Sequence, residues 1–113
     1  MSARNKLLTA PPYPVEQTLR RLGANLRTAR LRRNLTIGDM AEKIGTGQRA
    51  VIDAEKGKPS TGIAVYVAML WAADLLDQMA DVAAPEKDDE GQTLALSRER
   101  TRARPKAGLD NDF

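Results

Sequence analysis

The sequence predicts an all-α fold, with five short helices in one domain and a flexible segment on each side. Apolar residues recur at spacings of three and four along much of the 113-residue chain, which is the period of helices with a buried face. Glycine, asparagine and proline interrupt this pattern where such helices would end. We expect a disordered arm at 1–14, a helical domain at 15–84 and a charged tail at 85–113.

The first helix is predicted directly after a proline-rich stretch. Residues 11–14 read ProProTyrPro, a run that we expect cannot be helical and that closes the arm. An apolar stripe then follows at helical spacing: Val15, Leu19, Leu22, Leu26 and Ala29. Asn34 stands where the chain must leave this helix, and asparagine tolerates the left-handed conformation.

Two shorter helices are predicted next, separated by a tight turn. Thr36 is a good N-cap, and Asp39 provides the acid of a capping box. The inner face of the second helix is Met40, Ala41 and Ile44, and Gly45 ends it. Gly47 can cap the third helix, whose inner side is Val51, Ala54 and Glu55. Gly57 and Pro59 stop it.

The fourth helix is apolar on two sides. One predicted face is Ile63, Tyr66, Val67 and Leu70, and the other is Val65, Met69, Ala72 and Leu76. Because a small core can cover only one face, we expect a second copy to cover the other. The predicted homodimer interface is Val65, Met69, Trp71, Ala72 and Leu76. After a break at Asp74, a fifth helix is predicted over 75–82.

The last segment changes character and is predicted to be disordered on its own. It runs from an acidic stretch after Pro85 to a basic one after Ser97. Leu94 and Leu96 could add a short strand to a partner, or the segment around them could form a helical turn on contact.

Composition excludes several classes of function. The chain has no cysteine and no histidine, which removes disulfides, zinc-finger ligands and the imidazole general base. We expect no enzyme activity, no cofactor and no metal. No long apolar run follows the basic N-terminal residues, and the longest such run, 63–73, is too short for a bilayer. We therefore expect a cytoplasmic protein without a membrane partner.

Charge is unevenly distributed along the chain. Residues 1–58 carry a net charge of +7, residues 59–97 carry −6 and residues 98–113 carry +2, although the whole chain is only +3. A basic half that faces a polyanion would produce this division. Scattered solvated charge is the alternative.

With these elements in place, residues 19–83 resemble the five-helix DNA-binding domain of lambda- and Cro-type repressors, the XRE family. The strongest segment is 44–58, IleGlyThrGlyGlnArgAlaValIleAspAlaGluLysGlyLys. Landmark positions of the family are occupied by Asn34, Gly45, Glu55 and Gly57. The resemblance implies a helix-turn-helix and an ion pair between Arg30 and Glu55 that links its first and third helices.

The resemblance also implies which side chains meet DNA. Gln48, Arg49 and Asp53 would face base edges, where Gln suits adenine and Arg suits guanine. Asp53 would either accept from cytosine or hold Arg49 in place. The phosphate candidates are Thr36, Thr46, Lys56 and Lys58. Two departures weaken backbone anchoring: Ile37 stands where the family often has Gln, and Gly47 where it often has a hydroxyl residue.

A second resemblance covers more of the chain. Residues 62–81, the acidic linker and the basic tail are similar to HipB-type antitoxins, which partner HipA-type serine/threonine kinase toxins. This similarity implies a dimeric repressor that binds double-stranded operator DNA, represses its own operon and neutralises the kinase. The alternatives are a standalone XRE-family regulator without a toxin partner, and a helical adaptor that has lost DNA binding.

Overall fold

The computed structural model describes the backbone of residues 5–109 and the side chains of residues 5–102. The described residues form helices and no strand, so the all-α prediction is confirmed. The α-helices are α1 (Lys6–Thr9), α2 (Tyr13–Arg32), α3 (Ile37–Ile44), α4 (Gln48–Glu55), α5 (Ile63–Ala72) and α6 (Asp89–Leu109). Two 3₁₀ helices span Leu76–Asp81 and Pro85–Lys87. None of the helices described is both long enough and apolar enough to cross a bilayer.

The chain divides into two compact units, one ending at Asp77 and the other beginning at Gln78. The first unit holds α1 to α5. Within it, α4 packs against α2 and α3, and α5 packs against all three of these helices. The buried centre is Leu26, Met40, Val51, Ala54, Tyr66 and Met69.

The N-terminal segment contains more helix than the sequence predicts. The Asn5 side chain accepts a hydrogen bond from the Leu7 N–H at 2.9 Å and caps the single turn of α1. Helix α2 begins at Tyr13, so the prediction that ProProTyrPro cannot be helical is wrong. Pro14 lies inside the first turn, where its missing N–H leaves no bond unmade. Residues 1–4 of the predicted arm lie outside the described part of the chain.

Local chemistry defines both ends of α3. The Asp39 N–H donates to Thr36 Oγ1 at 2.9 Å, and the Thr36 N–H donates to Asp39 Oδ2 at 3.0 Å, which completes a capping box. These bonds to Thr36 hold the pKa of the Asp39 carboxyl below its ordinary value of 3.8. Gly45 ends the helix with a φ of 80°, a conformation that glycine adopts without a side-chain penalty.

Two glycines let α2 approach the end of α4 closely. A Cβ at Gly23 would lie 2.5 Å from the Ala54 carbonyl oxygen, and one at Gly57 would lie 2.5 Å from the Leu19 carbonyl oxygen. Either contact would force the backbones apart. Gly57 also has a φ of 70°, so a side chain there would both clash with α2 and force an unfavourable backbone conformation.

The orientation of α5 corrects the predicted dimer interface. The predicted interface includes Met69 and Ala72, but both are buried within the chain, together with Tyr66, Leu70 and Ala73. The outward side holds Ile63, Ala64 and Trp71, all exposed, flanked by half-buried Val67 and Ala68. Of the predicted set, Trp71 and Leu76 are exposed and Val65 is half-buried. All ten positions of α5 are apolar or aromatic, so the sequence does not show which side turns inward.

The C-terminal part also differs from the sequence-based prediction. The predicted fifth α-helix over 75–82 is a 3₁₀ helix, Leu76–Asp81. The segment predicted to be disordered contains the long helix α6, preceded by Asp88, whose Oδ1 accepts from the Gly91 N–H at 3.0 Å. Residues 110–113 of the predicted tail lie outside the described residues.

Candidate nucleic-acid interface

A bidentate ion pair joins α2 to α4. Arg30 Nε lies 2.6 Å from Glu55 Oε2 and Arg30 Nη2 lies 3.1 Å from Glu55 Oε1, while each side chain is only 6% exposed. Arg30 Nη1 also donates to the Leu35 carbonyl oxygen at 2.7 Å, in the loop before α3. The hydrogen bonding to Glu55 raises the pKa of the Arg30 guanidinium above its usual value. One side chain therefore links α2, α4 and the start of α3.

Helix α4 has one buried side and one exposed side. Val51 and Ala54 are completely buried beneath it. Gln48 and Arg49, the two residues predicted to face bases, are its first two residues and are exposed. A Cβ at Gly38 would lie 3.2 Å from Gln48 Nε2, so the Gln48 side chain reaches back over the first turn of α3.

Asp53, the third predicted base contact, lies between two cations. Its carboxylate is 3.8 Å from Arg49 Nη1 and 3.8 Å from Lys58 Nζ. The Asp53 side chain is 20% exposed, against 74% for Arg49. Cations thus flank the carboxylate on two sides, and of the two predicted roles its position favours holding Arg49.

The predicted phosphate-binding residues surround the turn between α3 and α4 and the end of α4. Thr36 is exposed at the N-terminus of α3, where its Oγ1 accepts the capping bond but keeps a hydroxyl proton to donate. Thr46 is half-buried in the turn, and Lys56 and Lys58 are exposed beyond α4. Gly47 supplies no side-chain cap, so no side chain occupies the N-terminal amide groups of α4. Ile37 is half-buried at the first position of α3.

Helix α2 adds positive charge to the same unit. Arg20 is paired with Glu16 at 3.1 Å. Arg21, Arg27 and Arg32 are exposed, and none of them has a carboxylate within 4.0 Å among the described residues. These three guanidinium groups leave an uncompensated positive potential.

Three contributors to this arrangement were not predicted from the sequence. Gly23 permits the α2–α4 contact, Gly38 leaves room for Gln48, and the Leu35 carbonyl accepts from Arg30. Glycine inside a helix costs about 1 kcal/mol relative to alanine, so Gly23 in the middle of α2 could have indicated a close backbone approach. The Leu35 carbonyl could not have been predicted in this way, because every residue has a backbone carbonyl and no residue type indicates which one Arg30 contacts.

Comparison of the chain with protein-family models, curated proteins and solved structures found no match. Within the described residues, no group of three or more Asp or Glu side chains is arranged to hold a metal ion.

We predict that loss of one partner of the Arg30–Glu55 pair costs more than loss of both. Glu55→Leu should lower the free energy of unfolding by roughly 3–5 kcal/mol, because it leaves the Arg30 charge buried without a partner. The double variant Arg30→Leu/Glu55→Leu should recover much of this loss. Urea unfolding of the two single variants and the double variant measures the coupling, and strictly additive losses would show that the charges do not interact.

Proposed function

We propose that this protein is a sequence-specific DNA-binding repressor that reads its operator with a helix-turn-helix formed by α3 and α4. The arrangement of α4 carries this proposal. Its inner side is held to α2 and α3, while its N-terminal turn exposes Gln48 and Arg49. A rigid helix with exposed amide and guanidinium groups at its N-terminus suits the major groove, which admits one α-helix.

The chemistry of the exposed side chains supports base reading. An amide such as that of Gln48 can both donate to and accept from adenine, and the guanidinium of Arg49 can donate twice to guanine. Asp53 restrains Arg49 from one turn further along the helix. Because Arg49 is 74% exposed and the two groups are 3.8 Å apart, the pair orients Arg49 and adds little to the stability of the fold.

Backbone anchoring would come from groups around the two helix N-termini. The open amides of α4 and the Thr36 hydroxyl are donors to phosphate, and Lys56 and Lys58 add charge beyond the end of α4. The exposed arginines of α2 would compensate for the phosphate contacts that Ile37 and Gly47 do not provide.

We further propose a homodimer formed through the outward side of α5. Ile63 and Trp71 are exposed there, next to Ala64 and the half-buried Val67 and Ala68. An exposed tryptophan on an apolar side of a helix is typical of an interface anchor. A two-fold symmetric dimer would present two copies of α4 to two operator half-sites.

Antitoxin activity toward a HipA-like kinase is the extension of this proposal, and it rests on the resemblance to HipB-type proteins. The exposed carboxylates that follow α5, Asp74 and Asp77, offer a negative surface to such a partner. Neither carboxylate has a cation within 4.0 Å among the described residues.

We predict that Gln48→Ala and Arg49→Ala each weaken binding to the operator by about 1–3 kcal/mol, roughly 5- to 150-fold, because each removes a bidentate base contact. The operator is first obtained by selection from a random-sequence library, and affinities are measured by fluorescence anisotropy on the operator and on a scrambled duplex. The ratio of the two affinities should fall in both variants.

Arg20→Ala and Gln17→Ala are the matched controls, since Arg20 is also paired with an acid four residues away and Gln17 is also exposed on a helix. They should leave the ratio of operator to scrambled affinity unchanged. If the α4 variants keep the full ratio, α4 does not read bases and the adaptor alternative gains support.

We predict that Trp71→Glu produces a folded monomer. A carboxylate near the C-terminal end of the outward side of α5 would have to be buried without a partner in the dimer, while the monomer keeps it in water. Sedimentation velocity measures the change, and circular dichroism checks the fold. Leu31→Glu, at an exposed position of α2, is the control and should remain a dimer. A Trp71→Glu dimer would place the interface elsewhere.

We predict a stable complex with a HipA-like kinase encoded beside this gene. Co-expression of the full chain with that kinase should give a complex in size-exclusion chromatography and should suppress kinase activity. Asp74→Asn/Asp77→Asn should slow association mainly at low salt, because exposed charges act chiefly on the association rate. Absence of such a reading frame, or of a complex, would leave the standalone regulator.

A further inference from the structure

Helix α6 combines an acidic beginning with a basic continuation. Asp89 and Glu90 lie in its first turn, where carboxylates interact favourably with the helix dipole. Arg98, Arg100 and Arg102 follow on the same helix, and all three are exposed. Between residues 98 and 113 the chain has five basic residues, four arginines and one lysine, and three acidic ones.

Over its described side chains, 89–102, the helix has no apolar stripe of the kind that docking on a protein requires. Among these side chains the large apolar ones are Leu94 and Leu96, which are 55% and 57% exposed. Two residues apart on an α-helix means about 200° apart, so they point to opposite sides. A helix without one apolar side is a poor fit for a hydrophobic groove or for a coiled coil with a second copy.

The arginines of α6 are held in a repulsive arrangement. Arg98 and Arg102 are four residues apart and share one side of the helix, where like charges destabilise it. Glu99 lies about 100° around the helix from Arg98 and three residues before Arg102, a spacing at which opposite charges are neighbours on a helix. No carboxylate lies within 4.0 Å of any of the three arginines among the described residues. A polyanion would remove this repulsion, whereas water and salt only weaken it.

We infer that the basic part of α6 is a second DNA-binding surface, which contacts phosphates without reading sequence. Arginine suits this task because its planar group can donate two hydrogen bonds to one phosphate. Cations on opposite sides of the helix, such as Arg98 and Arg100, do not match one row of base edges, but they increase the local attraction for a phosphate backbone. The inference rests on the proposed function, since it takes DNA as the polyanion.

The test uses the full chain with Arg98, Arg100 and Arg102 all replaced by Gln. Glutamine has nearly the same helix propensity as arginine, so the helix content in circular dichroism should be preserved. Binding constants are measured at several salt concentrations on the selected operator and on a scrambled duplex. The slope of log K against log [salt] should decrease in magnitude by up to roughly 2.7, about 0.9 for each phosphate that is no longer neutralised. The decrease should be the same on both duplexes.

Lys87→Gln is the matched control. It removes a cation from the same unit, but Lys87 Nζ lies 3.3 Å from Asp81 Oδ2, so this cation, unlike the three arginines, has a carboxylate beside it. Its slope should equal that of the unmodified protein. An unchanged slope in the triple arginine variant overturns the inference, as does a decrease confined to the operator.

The two proposals fail in different measurements. If Gln48→Ala and Arg49→Ala leave sequence preference intact but the triple variant loses salt dependence, the base-reading proposal fails and the α6 inference stands. If the α4 variants lose preference but the triple variant keeps its slope, the repressor proposal stands and the α6 inference fails.

Discussion

The arrangement of the first unit depends on the ion pair between Arg30 and Glu55. Its two short contacts, 2.6 and 3.1 Å, place the end of α4 against α2, and the third bond of Arg30 holds the Leu35 carbonyl. Burial of two charges carries a large desolvation cost, and only good geometry offsets it. The pair therefore contributes less to net stability than to a unique orientation, because few other arrangements of the helices would satisfy both charges.

Close backbone contact reinforces that orientation. At Gly23 and Gly57 the α2 and α4 segments approach to distances that leave no room for a Cβ. Together with the complete burial of Val51 and Ala54, this contact prevents α4 from rotating about its own axis. The buried side of α4 therefore determines which of its side chains reach solvent. Under the proposed function, this rigidity means that Gln48 and Arg49 meet the groove without being ordered first, which lowers the entropic cost of binding.

The two proposed DNA-binding surfaces differ in physical character. The turn between α3 and α4 offers a few donors in defined positions, supported by Asp53 between Arg49 and Lys58. The basic part of α6 offers charge on opposite sides of the helix, with Arg98 and Arg102 on one side and Arg100 on the other. The first kind of surface provides specificity, and the second raises affinity for any duplex and its dependence on salt. The uneven charge of the sequence is consistent with this division.

The sequence by itself determined the all-helical class and the ends of the helices around the turn, because these depend on local chemistry. Thr36 and Asp39 form their capping box within four residues, and Gly45 adopts its left-handed turn through its own lack of a side chain. The partner of Arg30 was predicted only through resemblance, since nothing local relates residues 25 positions apart. Tertiary structure alone decided the inward side of α5. Its apolar residues occupy every position, so the helix has no polar side to orient it, and packing against α2, α3 and α4 selected Met69 and Tyr66 for the core and left Trp71 in solvent.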